Sequence, residues 1–209
     1  MRRTAVTRAR RYNAKRTMHN PHYALVAYVR HPVGEFIERL RRELHPELPH
    51  LPAHITILPP RILSDLENVS AEVRENRALE LLGQMCREVD PFEVVLGDVE
   101  TFVPITPTDF IRVAHGAYRL RELHDRLNTG MFFCSEQWPY MPHLTVIKMG
   151  NEAQAMAAFH TASERWGQYA GSRRIAIEEV TFVREANNNS WVDLAPVHLG
   201  RTRVSETRK

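Results

Sequence analysis

The chain has 209 residues, 43% hydrophobic and 25% charged, with two cysteines and a formal net charge of +3. That length can bury a sizeable core, as one large domain or two small lobes. The composition excludes a helical membrane span, because no apolar run approaches the roughly 18 residues a span needs, and two cysteines are too few for a disulfide framework.

Residues 1–20 hold seven basic residues and no acid, so against a whole-chain charge of +3 the remainder is net acidic. The segment is read first as a solvated extension and second as an arm that attracts RNA or another polyanion. No charged-then-apolar leader opens the sequence and the cysteine usage fits a reducing compartment, so a cytoplasmic location is expected.

Tyr23 to Val29 is a dense apolar run of strand length and is predicted to be a central strand. Pro32 then opens a helix, where a missing N–H does little harm. Val33, Phe36, Ile37, Leu40 and Leu44 form its apolar stripe. Arg39, Arg41 and Arg42 fall off that stripe and read as a solvated face, with RNA contact as the minor reading. A proline-rich loop (Pro46, Pro49, Pro52) leads to a strand beginning His54-Ile55-Thr56-Ile57, which Pro59-Pro60 is expected to close. A helix is predicted from about Ala71 to Val89, then a strand from Phe92 to Phe102.

The order then repeats. Phe110–Val113 reads as a strand and Gly116 to Thr129 as a helix with Leu120, Leu123 and Leu127 inward and Gly130 as its C-cap. A loop with Trp138, Pro139 and Tyr140 precedes a strand at 143–148, beginning His143-Leu144-Thr145-Val146. A further helix carries Ala155, Phe159, Ala162 and Trp166, and strands at Arg174–Arg184 and Trp191–His198 close the chain around a polar Asn187–Ser190 hairpin. From Tyr23 to His54 is 31 positions and from Phe110 to His143 is 33. The two His-x-Thr strands therefore occupy the same place in a repeated strand-helix-strand unit, which gives them a reason to meet about a pseudo-two-fold axis. The fold class expected is α+β, with two pseudo-symmetric lobes, each a small mixed or antiparallel sheet flanked by helices, and a groove between them. The expected division is an arm at 1–20, one two-lobed domain at 21–199 with repeat halves 21–103 and 108–199, and a tail at 200–209.

In a strand, side chains alternate faces, so His54 shares a face with Thr56, and His143 with Thr145, while Ile55, Ile57, Leu144 and Val146 face a core. Two imidazoles and two hydroxyls in one groove suit phosphoester chemistry. One histidine takes a proton near neutral pH while the other gives one, and the threonines hold the phosphate.

The stretches Pro52-Ala53-His54-Ile55-Thr56-Ile57 and Tyr140-Met141-Pro142-His143-Leu144-Thr145-Val146, together with the element order over 21–199, resemble the 2H phosphoesterase superfamily, which includes 2'-5' RNA ligase-like proteins and RNA 2',3'-cyclic phosphodiesterases. The resemblance implies His54 and His143 as the catalytic pair, Thr56 and Thr145 as phosphate ligands, and no metal or other cofactor. Lys148 stands where many relatives have an arginine and is a candidate phosphate contact, although simple strand parity turns it away from His143. Leu58-Pro59-Pro60-Arg61 departs from the cyclic phosphodiesterase branch, which leaves the substrate open. The expected partner is an RNA end or small nucleotide with a cyclic or 2'-linked phosphate, with no membrane partner and a monomer favoured. The expected function is a metal-independent phosphodiesterase hydrolysing a 2',3'-cyclic or 2'-5'-linked ribose phosphate by two-histidine acid/base catalysis, with 2'-5' ligation as a secondary activity; the rival is a non-catalytic RNA-binding module using the same groove and the arm.

The remaining candidates read as structural. His45, His50 and His54 lie close together, but a proline-rich loop and the absence of a companion Cys or carboxylate cluster argue against a metal. His115, His124, His160 and His198 read as surface or capping residues. Trp138 and Tyr140 are as consistent with packing as with base stacking.

Overall fold

The computed structural model describes residues 21–47, 52–64, 69–186 and 190–200. The basic arm, His50, the hairpin tip at 187–189 and the tail at 201–209 lie outside the described residues.

The apolar run at the start becomes β1 (Tyr23–Tyr28), and α1 (His31–Leu44) follows with Val33, Ile37 and Leu40 buried in the core. Strand β2 (His54–Arg61) runs through Pro59-Pro60 rather than ending there. Among the described residues it is an edge strand, with β1 as its one ladder neighbour, so the missing N–H groups break no second ladder there. Helix α2 (Ala71–Cys86) starts at Ser70, whose hydroxyl accepts from the Val73 amide at 3.3 Å, and buries Ala78, Leu82 and Cys86.

Strands β3 (Phe92–Thr101) and β4 (Thr108–His115) form a hairpin, and α3 (Ala117–Leu127) buries Leu120, Leu123 and Leu127. Gly116 adopts φ +76°, and a β-carbon there would lie 2.5 Å from the Glu93 carbonyl oxygen, so the turn into α3 needs glycine. At the other end Asn128, not Gly130, caps α3, and Gly130 instead opens a 3-10 turn at Gly130–Phe132. Strand β5 (His143–Lys148) leads through the Asn151 cap to α4 (Glu152–Gly167), which buries Ala155, Ala158, Ala162 and Trp166.

The stretch expected as one strand at Arg174–Arg184 is two: β6 (Arg174–Ile177) and β7 (Glu179–Glu185), before β8 (Trp191–His198). They belong to different sheets, and the chain changes sheet at Glu178.

Among the described residues there are two four-stranded antiparallel sheets, ordered β2-β1-β7-β8 and β5-β4-β3-β6. This is the expected α+β class, but the lobes are not the sequence halves 21–103 and 108–199. Strand β3 of the first half joins the second sheet, while β7 and β8 return to complete the first. The exchange preserves the repeat in space: β1 and β4 match, β2 and β5 match, and each motif strand lies on an outer edge. The two edges face each other, because β2 and β5 are in contact across the junction of the lobes. Among the described residues no helix is long and apolar enough to cross a membrane.

Candidate active site

Ile55, Ile57, Leu144 and Val146 are at most 2% exposed, which fixes the facing of both motif strands. Burying those side chains turns His54 and Thr56, and His143 and Thr145, to the other face, where all four are half-buried.

The two histidines are held in the same way. His54 Nδ1 lies 2.7 Å from the Pro52 carbonyl oxygen, and His143 Nδ1 lies 2.7 Å from the Met141 carbonyl oxygen. A carbonyl can only accept, so Nδ1 carries the proton in each ring and the neutral imidazole keeps its lone pair on Nε2. Prolines stand beside both anchors: Pro52 supplies one carbonyl and Pro142 follows the other. Pro142 disfavours helical backbone at Met141 and stiffens the approach to the second motif.

The walls differ. Tyr28 is the ladder partner of His54 and meets its ring edge-on at 6.4 Å, with its hydroxyl donating to Asp193 at 2.6 Å. His143 meets Phe102 at 5.3 Å and Phe110 at 5.2 Å, both edge-on, and those two rings stack at 4.1 Å. Burial holds both imidazoles below the usual histidine value, opposed by the bonds from their Nδ1 groups. His54 is lowered further by the Arg41 cation and by protonated His143.

Lys148 is exposed, and a paired irregularity decides its direction. In the first sheet Val26 pairs with Thr56 but Leu25 pairs with Leu58; in the second Phe110 pairs with Thr145 but Asp109 pairs with Ile147. Each motif strand thus carries a β-bulge with one extra residue just past its threonine. Both residues of each bulge, Ile57-Leu58 and Val146-Ile147, are buried. The bulge resets the alternation, so Lys148 returns to the face of His143 and Thr145. The expectation that parity turns it away is corrected.

Three residues read as unremarkable in the sequence take part here. Arg41 is not solvated: it is half-buried and a guanidinium N–H donates to the Thr145 carbonyl oxygen of β5. Burial lowers its pKa to about 10. Arg39 and Arg42 are exposed, as expected. Tyr140 donates its hydroxyl to the Thr56 carbonyl oxygen at 2.8 Å, whereas Trp138 is exposed. His124 is buried rather than on the surface, its Nδ1 at 2.8 Å from the Ile57 carbonyl oxygen and its ring stacked on Tyr140 at 4.1 Å. His124 could have been found, since Leu120, Leu123, His124 and Leu127 trace one helical stripe. Arg41 carried no local signal, because its acceptor lies 104 positions away.

His115, His160 and His198 are exposed. Among the described residues no three His, Cys, Asp or Glu side chains cluster as metal ligands. A hollow of about 470 Å³ lies beyond Tyr28, lined by Arg30, Tyr169, Arg174 and Glu178 among others, and neither histidine of the pair borders it.

A family model described as the 2'-5' RNA ligase superfamily matches residues 29–189. The "Putative phosphoesterase" of Halalkalibacterium halodurans is 29% identical over 186 residues, covering 86% of this chain and 98% of that one. A second "Putative phosphoesterase", from Oceanobacillus iheyensis, is 27% identical over 124 residues, covering 59% of this chain and 68% of that one. E. coli LigT shares the fold: its complex with 3'-AMP aligns at TM-score 0.57 and its complex with NADP+ at 0.58, each at 17% identity over 87% of this chain and 99% of LigT.

Proposed function

This chain belongs to the 2'-5' RNA ligase superfamily, and we propose that it is a metal-independent phosphodiesterase acting on a 2',3'-cyclic or 2'-5'-linked ribose phosphate. The observation that carries the reading is the duplicated anchor: two imidazoles on facing edge strands, each with Nδ1–H tied to the carbonyl two residues upstream and Nε2 left for a substrate. Relatives described as phosphoesterases and the nucleotide complexes of LigT support the class of ligand.

In hydrolysis of a cyclic phosphate, the neutral histidine takes a proton from water as its oxygen attacks phosphorus. The protonated histidine gives its proton to the ribose oxygen as that P–O bond breaks. A phosphomonoester and a free hydroxyl result, and the pair ends with its protonation exchanged. Thr56 and Thr145 donate to the non-bridging oxygens and hold phosphorus between the rings. Lys148 adds a cation on the His143 side. Ligation of 2'-5' ends is the reverse chemical type and is assigned a secondary place.

The test is a panel of 2',3'-cyclic nucleotides, 2'-5' dinucleotides and RNA ends, with and without chelator, with products identified by phosphorus NMR. Turnover of a cyclic or 2'-5' substrate that survives chelation is expected. A folded sample that turns over none of them overturns the reading, and loss of turnover with chelator overturns the metal-free step.

A further inference from the structure

We propose that Arg41 and Tyr140 are positioning residues that form a reciprocal clasp between the two repeated units, each fixing the backbone of the opposite motif at its threonine and so setting the separation of the two histidines. The inference rests on the two-histidine reading above.

Edge strands present carbonyls that no ladder satisfies. Thr56 and Thr145 lie on such edges, at equivalent positions, each two residues after its histidine. Strands β2 and β5 face each other but belong to separate sheets, so no ladder ties them. Side chains supply the ties instead. Arg41, on the helix that links β1 to β2 and packs on β5, donates to the Thr145 carbonyl. Tyr140, just before β5, donates the other way to the Thr56 carbonyl at 2.8 Å. Each repeated strand-helix-strand unit thus holds the other's motif at the same atom, with α1 packed on β5 and α3 on β2.

Both donors are themselves fixed. The Tyr140 ring lies parallel to His124 within 5°, and His124 is tied to the Ile57 carbonyl of β2. Burial and the charge of Glu136 raise the phenol pKa, so the hydroxyl stays a donor at neutral pH. Arg41 is half-buried, and the guanidinium stays charged with its pKa near 10. An in-line proton transfer tolerates little error in the placing of acid and base, so a tie at the residue next but one to each histidine acts directly on the rate.

The clasp also places a fixed cation near one histidine. The groups around His54 are Tyr28 from β1, Arg41 from α1 and His143 from β5, with the Glu38 carboxylate of α1 bonded to the neighbouring Ala53 amide at 3.1 Å. Of these, Arg41 carries a permanent positive charge and opposes protonation of His54.

The experiment compares Tyr140→Phe, Arg41→Met and Arg41→Lys with Arg39→Met, an exposed control on the same helix. Steady-state kinetics are measured on whichever substrate of the panel turns over. The His54 and His143 imidazole protons are titrated by NMR and assigned with the His54→Gln and His143→Gln variants. Tyr140→Phe is expected to lower kcat about tenfold with KM within about twofold. Arg41→Met is expected to lower kcat by about thirtyfold and move the His54 midpoint upward; Arg41→Lys keeps that midpoint and recovers part of the rate. Arg39→Met changes neither. Wild-type kcat and an unmoved His54 midpoint in folded Arg41 and Tyr140 variants overturn the clasp, as does a rise in KM alone, which marks a substrate contact. Should Arg41→Met fail to fold, Tyr140→Phe and Arg41→Lys decide by kcat. Should the wild type turn over nothing, the phosphodiesterase reading fails separately and the Arg41 titrations, which need no substrate, decide the clasp.

Discussion

Lys148 and Pro59 occupy equivalent places, each the first residue past a β-bulge that follows a motif threonine. The two halves of the site are therefore alike in backbone and unlike in charge: one ends in a cation, the other in a ring without an N–H. Lys148→Met is expected to raise KM about fivefold to tenfold, with kcat within about twofold, because an exposed ammonium binds phosphate without touching the proton transfers. The loss should shrink when ionic strength rises from about 0.05 to 0.2 M, and Lys148→Arg should restore KM. Equal KM values for Lys148→Met and the wild type at low salt would remove Lys148 from the site.

Replacing either histidine should separate binding from chemistry. His54→Gln and His143→Gln are each expected to lower kcat by at least about a hundredfold, since each removes one proton carrier. Affinity for a nucleotide product should change by no more than about threefold, because Thr56 and Thr145 remain. Rapid-quench assays and calorimetry read the two quantities. Equal loss of affinity and rate would point to a groove that only binds.

Strand alternation made the histidine and threonine placement legible before any coordinates, because the apolar residues between them must go inward. The similar spacing of the motifs from their leading strands, 31 and 33 positions, likewise announced the repeat. What sequence patterning could not show was exchange: the inward set shifts by one at Glu178-Glu179, from Ile175 and Ile177 to Val180 and Phe182, but a change of parity does not say that the chain leaves one sheet for the other. The bulges were hidden for a related reason. Ile57-Leu58 and Val146-Ile147 read as plain apolar pairs, and only the partner strand reveals the extra residue. Arg41 and Tyr140 act on carbonyls of distant strands, and a backbone acceptor leaves no trace in residue type.

The depressed histidines fix the direction of the pH dependence. An unfolded histidine takes up its proton near pH 6.5, while burial keeps both imidazoles neutral to lower pH in the fold. The stability of the neutral pair is fully present above about pH 6.5 and is lost as pH falls from there through the folded values, because the unfolded chain then binds more protons. A His54→Gln, His143→Gln double variant should therefore lose less stability than the wild type between about pH 7 and pH 5.5 in urea titrations. The profile of kcat/KM should be a bell with both limbs on the acid side of about 6.5, since it reports the free protein. Arg41 lowers His54 further, so the singly protonated pair should hold its proton on His143, and NMR should find His143 titrating above His54. The opposite order would place the proton on the other ring.

Arg61 tests how firmly the approach to the second motif is held. Its side chain is 3% exposed and donates to the Pro59 carbonyl at 2.9 Å, the Phe132 carbonyl at 2.7 Å, the Asn128 side chain, and Glu136 at 2.9 Å. Glu136 sits 3.6 Å from His124 Nε2, and the same loop carries Tyr140 and Met141, whose carbonyl anchors His143. Arg61→Met leaves the carboxylate and three acceptors without their partner, and breaking a buried pair from one side costs about 3–5 kcal/mol. A fall of that size in the unfolding free energy is expected in urea, with kcat reduced in the fraction that stays folded. Arg61→Lys should recover only a minority of it, because one ammonium cannot span acceptors arranged around a planar fork. A loss below about 1 kcal/mol for Arg61→Met would mean that the loop is held by the Tyr140 stack and the Asn128 bonds to Cys134 instead.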